Sequence, residues 1–389
     1  MRIPRSWKVV LILWGDTLSG IHINQRMMKA VWKDNRSVVL AVLALLLQSC
    51  SSIDNDKTFG EEKVIARDEQ WSGVVRIKDN VKVQNGATLT IEAGTLVTFE
   101  GKGILVVGND GAANIRIEGT SSKPVQIEGG DGIQLIQIGK NSKISNCRFS
   151  NVGSANGYAL RVREVFGFPI ENLEIKGGGG VELAKEGIDG GEINGLTIRC
   201  ENPIALSVPA DYKRFIRKLD IQGKQIRLNG DGNSPTVNLG GKSAYLVDQT
   251  LNLNGEVEIS GATMYFTSNG ELLVGGQLPT TAKFENSRFI LTGEGKWKGI
   301  TFDSQVQGKS SMKNCVVSGA KVGVSLYSDV TFTIVGCDLS RNDQGVKAIK
   351  GSGWDATTIA DNNTIPGGKN GVELTSKRGT SLPIMRVAE

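Results

Sequence analysis

A dipeptide returns at a near-constant interval, and that interval restricts the fold more than any other feature of the chain. Asn314-Cys315 leads to Gly323-Val324, Gly336-Cys337 to Gly345-Val346 and Asn362-Asn363 to Gly371-Val372, each glycine eight residues past the pair. Asn146-Cys147 leads to Gly157 after ten residues, and Asn172-Leu173, Gly195-Leu196 and Lys218-Leu219 open similar units 23 residues apart. A unit of about 22–26 residues is too short for a sandwich domain and matches one coil of three short strands. One coil has two open edges and cannot bury its apolar face, whereas stacked coils pair the edges and share a core.

The strand pattern agrees. From Val74 onward short stretches such as Val74–Ile77, Val81–Val83, Leu89–Ile91, Leu96–Phe99 and Ile104–Val107 alternate apolar and polar residues between Gly, Asn and Asp turns. Glycine is abundant, 50 in 389 residues, and sits mainly at turns. The spacing predicts an all-β chain, a parallel solenoid of about 13–14 coils and on the order of 65 Å at ~4.8 Å per coil. Equivalent inward positions should form ladders, with Cys315 over Cys337, and turn-facing Asn residues should exchange amide hydrogen bonds. The two open ends need caps, and the polar segment before Val74 and the tail Thr375–Glu389 are the candidates.

A larger duplication overlies the coils. Gly94, Phe99, Gly103, Leu105, Val107 and Gly108 reappear 167 residues later as Gly261, Phe266, Gly270, Leu272, Val274 and Gly275. Asn146-Cys147 pairs with Asn314-Cys315 at 168. Two blocks of about seven coils in tandem are expected.

The first part of the chain reads differently. Lys29, Lys33 and Arg36 precede the apolar run Val38–Leu47, which is followed by Gln48, Ser49 and Cys50. A basic segment, a ten-residue apolar run and a small residue before the break describe an export signal that is too short to span a bilayer. Met27-Met28 stands where such a signal would start. The expected division is therefore a spurious extension over 1–26, a signal over 27–49, a polar tether over 50–66 and the β domain over 67–389. Residues 1–49 hold seven of the 45 Lys/Arg and two of the 40 Asp/Glu, which leaves 38 of each downstream. The basic balance thus belongs to the leader and gives no footing for nucleic-acid binding.

Two resemblances follow from these residues. Leu47-Gln48-Ser49-Cys50 resembles a bacterial lipoprotein signal, although Gln48 departs from the small residues usual at its position. That resemblance implies Cys50 as the acylated mature N-terminus, with palmitate-type chains, and a membrane partner reached through the lipid. Ser51 carries no inner-membrane retention signal, so the outer membrane is expected. LTIEAGTLVTF (Leu89–Phe99), IRIEGTSSKPVQIEG (Ile115–Gly129), ISNCRFSN (Ile144–Asn151), KWKGITF (Lys296–Phe302) and MKNCVVSGAKVGV (Met312–Val324) are similar to exported right-handed, single-stranded parallel β-helix proteins of the pectin-lyase-like kind. This resemblance covers most of 67–389 and implies a fold rather than an activity.

Chemistry is sparse. The one histidine, His22, precedes Cys50, so the body holds no imidazole for Ser-His-Asp or Cys-His catalysis. Cys147, Cys315 and Cys337 share one coil position and read as buried thiols; without a CxxC pair or histidine no zinc site is expected, and no other metal or cofactor is expected either. Carboxylate chemistry could draw on Asp131, Asp189, Asp231, Glu164 and Glu182, with Arg161 and Arg163 as the nearest basic groups. Arg76-Ile77-Lys78 matches one polygalacturonase-like motif at the wrong end of the chain, and Asn229-Gly230-Asp231-Gly232-Asn233 reads as a turn rather than a calcium loop. Downstream of Cys50 the aromatic candidates for sugar contact are Trp71, Trp297 and Trp354 with Tyr158, Tyr212, Tyr245, Tyr265 and Tyr327. The expected function is binding, adhesion or envelope structure, with a glycan or a surface protein as partner. The alternative is a polysaccharide lyase or glycoside hydrolase using carboxylates and Arg/Lys along one face.

Overall fold

Asn146 sits at φ 46° in the middle of the strand Lys143–Ser150, and this one residue shows how the coil is built. Residues 143–145 pair with Arg116–Glu118, whereas 147–150 pair with Val125–Glu128, so the strand serves two faces and bends at Asn146. The next coils repeat the bend at Asn172 (φ 52°), Gly195 (φ 92°) and Lys218 (φ 56°). In the second block the corner falls at Asn286, Asn314 and Gly336. Left-handed backbone favours Gly and Asn over other residues, so the recurring dipeptide is the signature of a corner. Across coils, Asn172 Nδ2 donates to Asn146 Oδ1 at 3.1 Å, and Asn314 Nδ2 to Asn286 Oδ1 at 3.4 Å. The residue after each corner turns inward, which aligns Cys147, Leu173, Leu196 and Leu219.

The computed structural model describes residues 56–375 except 165, 184–189, 232–235, 242, 328–332 and 350–354. Residues 1–55 and the tail beyond 375 lie outside the described residues, and with them the leader, Cys50 and most of the expected C-terminal cap. Strand accounts for 56% of the structure and helix for 4%, in parallel sheets stacked as a β-solenoid of about 12 turns. That is fewer than the 13–14 expected, because some turns are longer than the repeat. Val97 and its register partner Ile127 are 30 residues apart, and part of the last turn is the helix α1 (Ala356–Asp361).

Among the described residues a long sheet of 13 strands runs the length of the solenoid, from Lys63–Ile65 to Asp338–Arg341. An 11-stranded sheet completes the first block, and sheets of five and six strands complete the second. The duplication visible in the sequence does not keep its angular position. Leu96–Phe99 lies in the 11-stranded sheet, but its counterpart Thr263–Phe266 lies in the long sheet. Ile104–Val107 lies in the long sheet, and its counterpart Glu271–Val274 in the six-stranded one. The second block is stacked on the first one face out of phase. The shift arises between Gln225–Gly230 and Ala244–Val247 of the long sheet, where the single strand Thr236–Gly240 intervenes. Elsewhere that interval holds two strands or one strand bent at a left-handed corner. At this junction Tyr212 and Tyr245 meet through their hydroxyls at 3.2 Å inside the core.

The interior is a ladder of aliphatic and aromatic side chains. Trp297 is fully buried, stacks on Phe266 at 3.9 Å between ring centroids and donates from Nε1 to the Ser318 carbonyl at 2.9 Å. Cys147, Cys200, Cys315 and Cys337 are free and buried, as expected of core thiols. Burial pushes the Cys147 thiol far above its ordinary range.

The first turn differs from those above it. Lys57–Phe59, Lys63–Ile65 and Glu69–Trp71 pair with strands of the second turn, so residues 57–65, expected within the tether, already belong to the solenoid. Lys57, Lys63 and Glu69 stand in register with the buried Val75, Val81 and Leu89, at inward positions. The Glu69 carboxylate lies 3.0 Å from Lys63 Nζ and 4.0 Å from Lys57 Nζ, and accepts from Trp71 Nε1 at 2.9 Å. The apolar column thus ends in an ionic plug. At the other end α1 starts on Asp355, whose side chain accepts from Thr358 N at 2.7 Å. Beyond the helix, Asn363 and Thr364 hydrogen-bond to the strands beneath.

Candidate functional site

One outward ladder on the long sheet gathers most of the chemistry. Arg161, Glu182, Ser207 and Arg227 occupy it in consecutive turns, each beside an inward aliphatic residue (Leu160, Val181, Leu206 and Ile226). Arg161 Nε lies 2.5 Å from Glu182 Oε2, and Arg227 Nε 3.3 Å from Asp248 Oδ2. The Arg161 guanidinium stands 5.0 Å from the centre of the Tyr158 ring, a cation–π distance. Arg227 leans back along the ladder and donates from Nη1 to Tyr158 Oη at 3.4 Å. It can do so because the intervening residue is Ser207, small and fully buried.

Asn229 fixes the floor of this strip. Its Nδ2 donates to Ser207 Oγ and to the Leu183 carbonyl, both at 3.0 Å, while its backbone carbonyl accepts from Gln249 Nε2 at 2.9 Å. Asn229 Oδ1 is buried and has no hydrogen-bond partner. The four charged side chains are each about a third exposed, between 28% and 36%. Each guanidinium is engaged through Nε by a carboxylate, which holds it flat on the sheet. The terminal guanidinium nitrogens, the Tyr158 ring and the two carboxylates form a charge-balanced, hydrogen-bonding surface. Such a surface fits a hydroxyl-rich or mixed-charge ligand better than a strongly anionic one.

The residues singled out from sequence divide sharply. Arg161, Glu182 and Tyr158 come together here. Asp231 accepts from Asn252 N and Nδ2, each at 2.9 Å, and serves the turn beneath the next coil. Arg163 and Glu164 follow the strand Tyr158–Val162 as exposed residues, and Asp131 is exposed just ahead of Gly132–Leu135. Arg76 pairs with Asp56 at 3.0 Å and Lys78 with Glu100 at 3.8 Å, around a buried Ile77, so that tripeptide is an ordinary outward-inward-outward strand segment. Trp71, Trp297, Tyr212 and Tyr245 are core residues, while Tyr265 is half-buried on the long sheet. Asp189, Asn233 and Trp354 lie outside the described residues.

Sequence reasoning missed Ser207, Arg227 and Asp248. Their ladder spacings are 21 residues from Arg161 to Glu182, 25 to Ser207 and 20 to Arg227, and the register shifts twice along the way. No fixed period selects them. Among the described residues no group of three or more His, Cys, Asp or Glu is placed to hold a metal ion. Among them too, no helix is long and apolar enough to cross a membrane. Compared with family models, curated proteins and solved structures, the chain matches none.

Proposed function

We propose that this chain is an exported bacterial lipoprotein, held at the outer membrane by acyl chains on Cys50, whose pectin-lyase-like right-handed β-helix binds a glycan or another envelope component. The basic segment, the apolar run Val38–Leu47 and the Leu47–Cys50 box support export and lipidation. The observation that carries the binding role is the strip Tyr158–Arg161–Glu182–Arg227–Asp248 on a flat, rigid sheet face, with two guanidiniums pre-positioned by carboxylates. Rigid placement lowers the entropy lost on binding.

A glycan array probed with the full chain tests the reading. Wild type should retain a defined set of glycans that Arg161→Ala and Arg227→Ala lose, while thermal unfolding stays close to wild type. Retention of the same glycans by both variants would sink the assignment of the strip. Release of reducing ends or unsaturated uronate from any array member would replace binding with cleavage. Detergent-phase partitioning of wild type against Cys50→Ala tests the anchor, and equal partitioning would refute it.

A further inference from the structure

We infer that the first turn of the solenoid faces the bilayer without entering it, so that the rod stands up from the membrane and holds the Arg161–Arg227 strip at a set height. The inference rests on the lipid-anchor reading of Cys50. The solenoid begins at Lys57, only seven residues past that cysteine. Even fully extended, seven residues reach about 25 Å. The anchored end of the rod is therefore the end closed by Lys57, Lys63 and Glu69.

That end is built to stay in water. Its inward positions carry charges where the turns above carry buried aliphatics. Residues 56–71 hold five acids and three bases, so an anionic leaflet does not draw the turn in. Val64, 49% exposed, is the one large hydrophobic residue this turn leaves open. A lone valine contributes too little for insertion. The turn spacing then sets the geometry. Tyr158–Val162 is the fifth strand of the long sheet and Gln225–Gly230 the eighth. At ~4.8 Å per turn the strip lies about 20–35 Å above the first turn. A partner in the bilayer plane is out of reach; a polymer or protein outside the headgroup layer is not.

The test uses the lipidated full chain reconstituted in phosphatidylethanolamine–phosphatidylglycerol vesicles that contain a headgroup-nitroxide lipid. The four cysteines of the solenoid are buried, so an added surface thiol takes a fluorophore selectively. Thr58→Cys marks the first turn and Asp361→Cys marks the far end, both at exposed positions. The expected result is several-fold stronger quenching at Thr58→Cys than at Asp361→Cys. Equal quenching at both ends, or stronger quenching at Asp361→Cys, overturns the upright geometry while leaving the anchor intact. Vesicle binding that survives Cys50→Ala overturns the anchor, and the inference with it.

Discussion

Lys63 and Glu69 meet at 3.0 Å in a place where the next turn puts Val81 and Leu89, both fully buried. A parallel solenoid has an end problem: its first strands offer unpaired backbone groups above an apolar column, a template for another chain. Here the column stops at a charge pair pointing inward. An incoming strand would have to strip water from Lys57, Lys63 and Glu69, at a cost of several kcal/mol per ion. The cap is thus a set of side chains within the first coil rather than a separate element.

Glu69 is the centre of that cap. Glu69→Ala leaves two inward lysines without their carboxylate and Trp71 Nε1 without its acceptor, and should cost about 1–3 kcal/mol. Amide exchange should quicken over residues 57–71 before it changes elsewhere. Glu69→Leu should instead keep the first turn folded and promote concentration-dependent association, read by sedimentation velocity. A monomeric Glu69→Leu protein would show that the plug does not guard the end.

The corners give a graded series. Asn146→Ala places a Cβ-bearing residue with no side-chain partner at φ 46° and removes the bond from Nδ2 to the Gly119 carbonyl, so a loss of about 1–2 kcal/mol is expected. Asn146→Gly should lose less, because glycine accepts the backbone freely. Gly336→Ala should lose more than Asn146→Gly, since its Cβ would stand 2.4 Å from Asn314 Oδ1 at φ 68°. Urea denaturation midpoints rank the three, and an order with Asn146→Gly worst would break the corner account.

Trp297 was read from sequence as packing, and its surroundings make that quantitative. Trp297→Ala empties the space above Phe266 and leaves the Ser318 carbonyl without its donor, for an expected loss of about 3–5 kcal/mol. Thermal unfolding measures it; a loss below about 1 kcal/mol would mean that the second block tolerates a large cavity.

The core thiols should be inert. Burial raises Cys147 and Cys200, and Cys315 is raised further by the adjacent Cys337 thiol. A thiolate is the reactive form. N-ethylmaleimide should leave all four unmodified in the native protein and modify all four in guanidinium, as read by intact mass.

Asp211 should give stability a pH slope. Its carboxyl is nearly buried beside Arg214, 2.8 Å away, and burial outweighs that partner, so its pKa lies above the ordinary 3.8. Between 3.8 and the raised value the folded state keeps a proton that the unfolded chain has lost, and stability falls as pH rises through that window. Asp211→Asn cannot titrate. Urea curves taken upward from pH 3.8 should show wild type losing stability relative to Asp211→Asn, and parallel behaviour of the two would refute the shift.

How much was legible differs between fold and site. Asn146, Asn172, Gly195 and Asn314 announce corners because left-handed backbone is a local demand that residue type answers locally. Alternation inside Leu96–Phe99 or Thr263–Phe266 announces which side chains face inward, again within a few residues. These local rules were enough for the parallel coil and its buried cysteines. They could not give the number of turns, because loops between corners vary in length.

The strip was legible only in part. Arg161 and Glu182 could be suspected as charges in neighbouring coils, but Arg227 and Asp248 join them through a register that shifts twice and a spacing that never repeats. The phase change between the blocks is of the same kind: the 167-residue offset is plain in the letters, yet the counterpart of Leu96–Phe99 lies on a different face. Sequence alone determined that this chain winds into a stacked parallel coil, since backbone conformation and side-chain alternation are short-range. Which outward charges meet, where the second block points and how the first turn closes were decided by tertiary structure, because each depends on hydrogen-bond register summed over many coils.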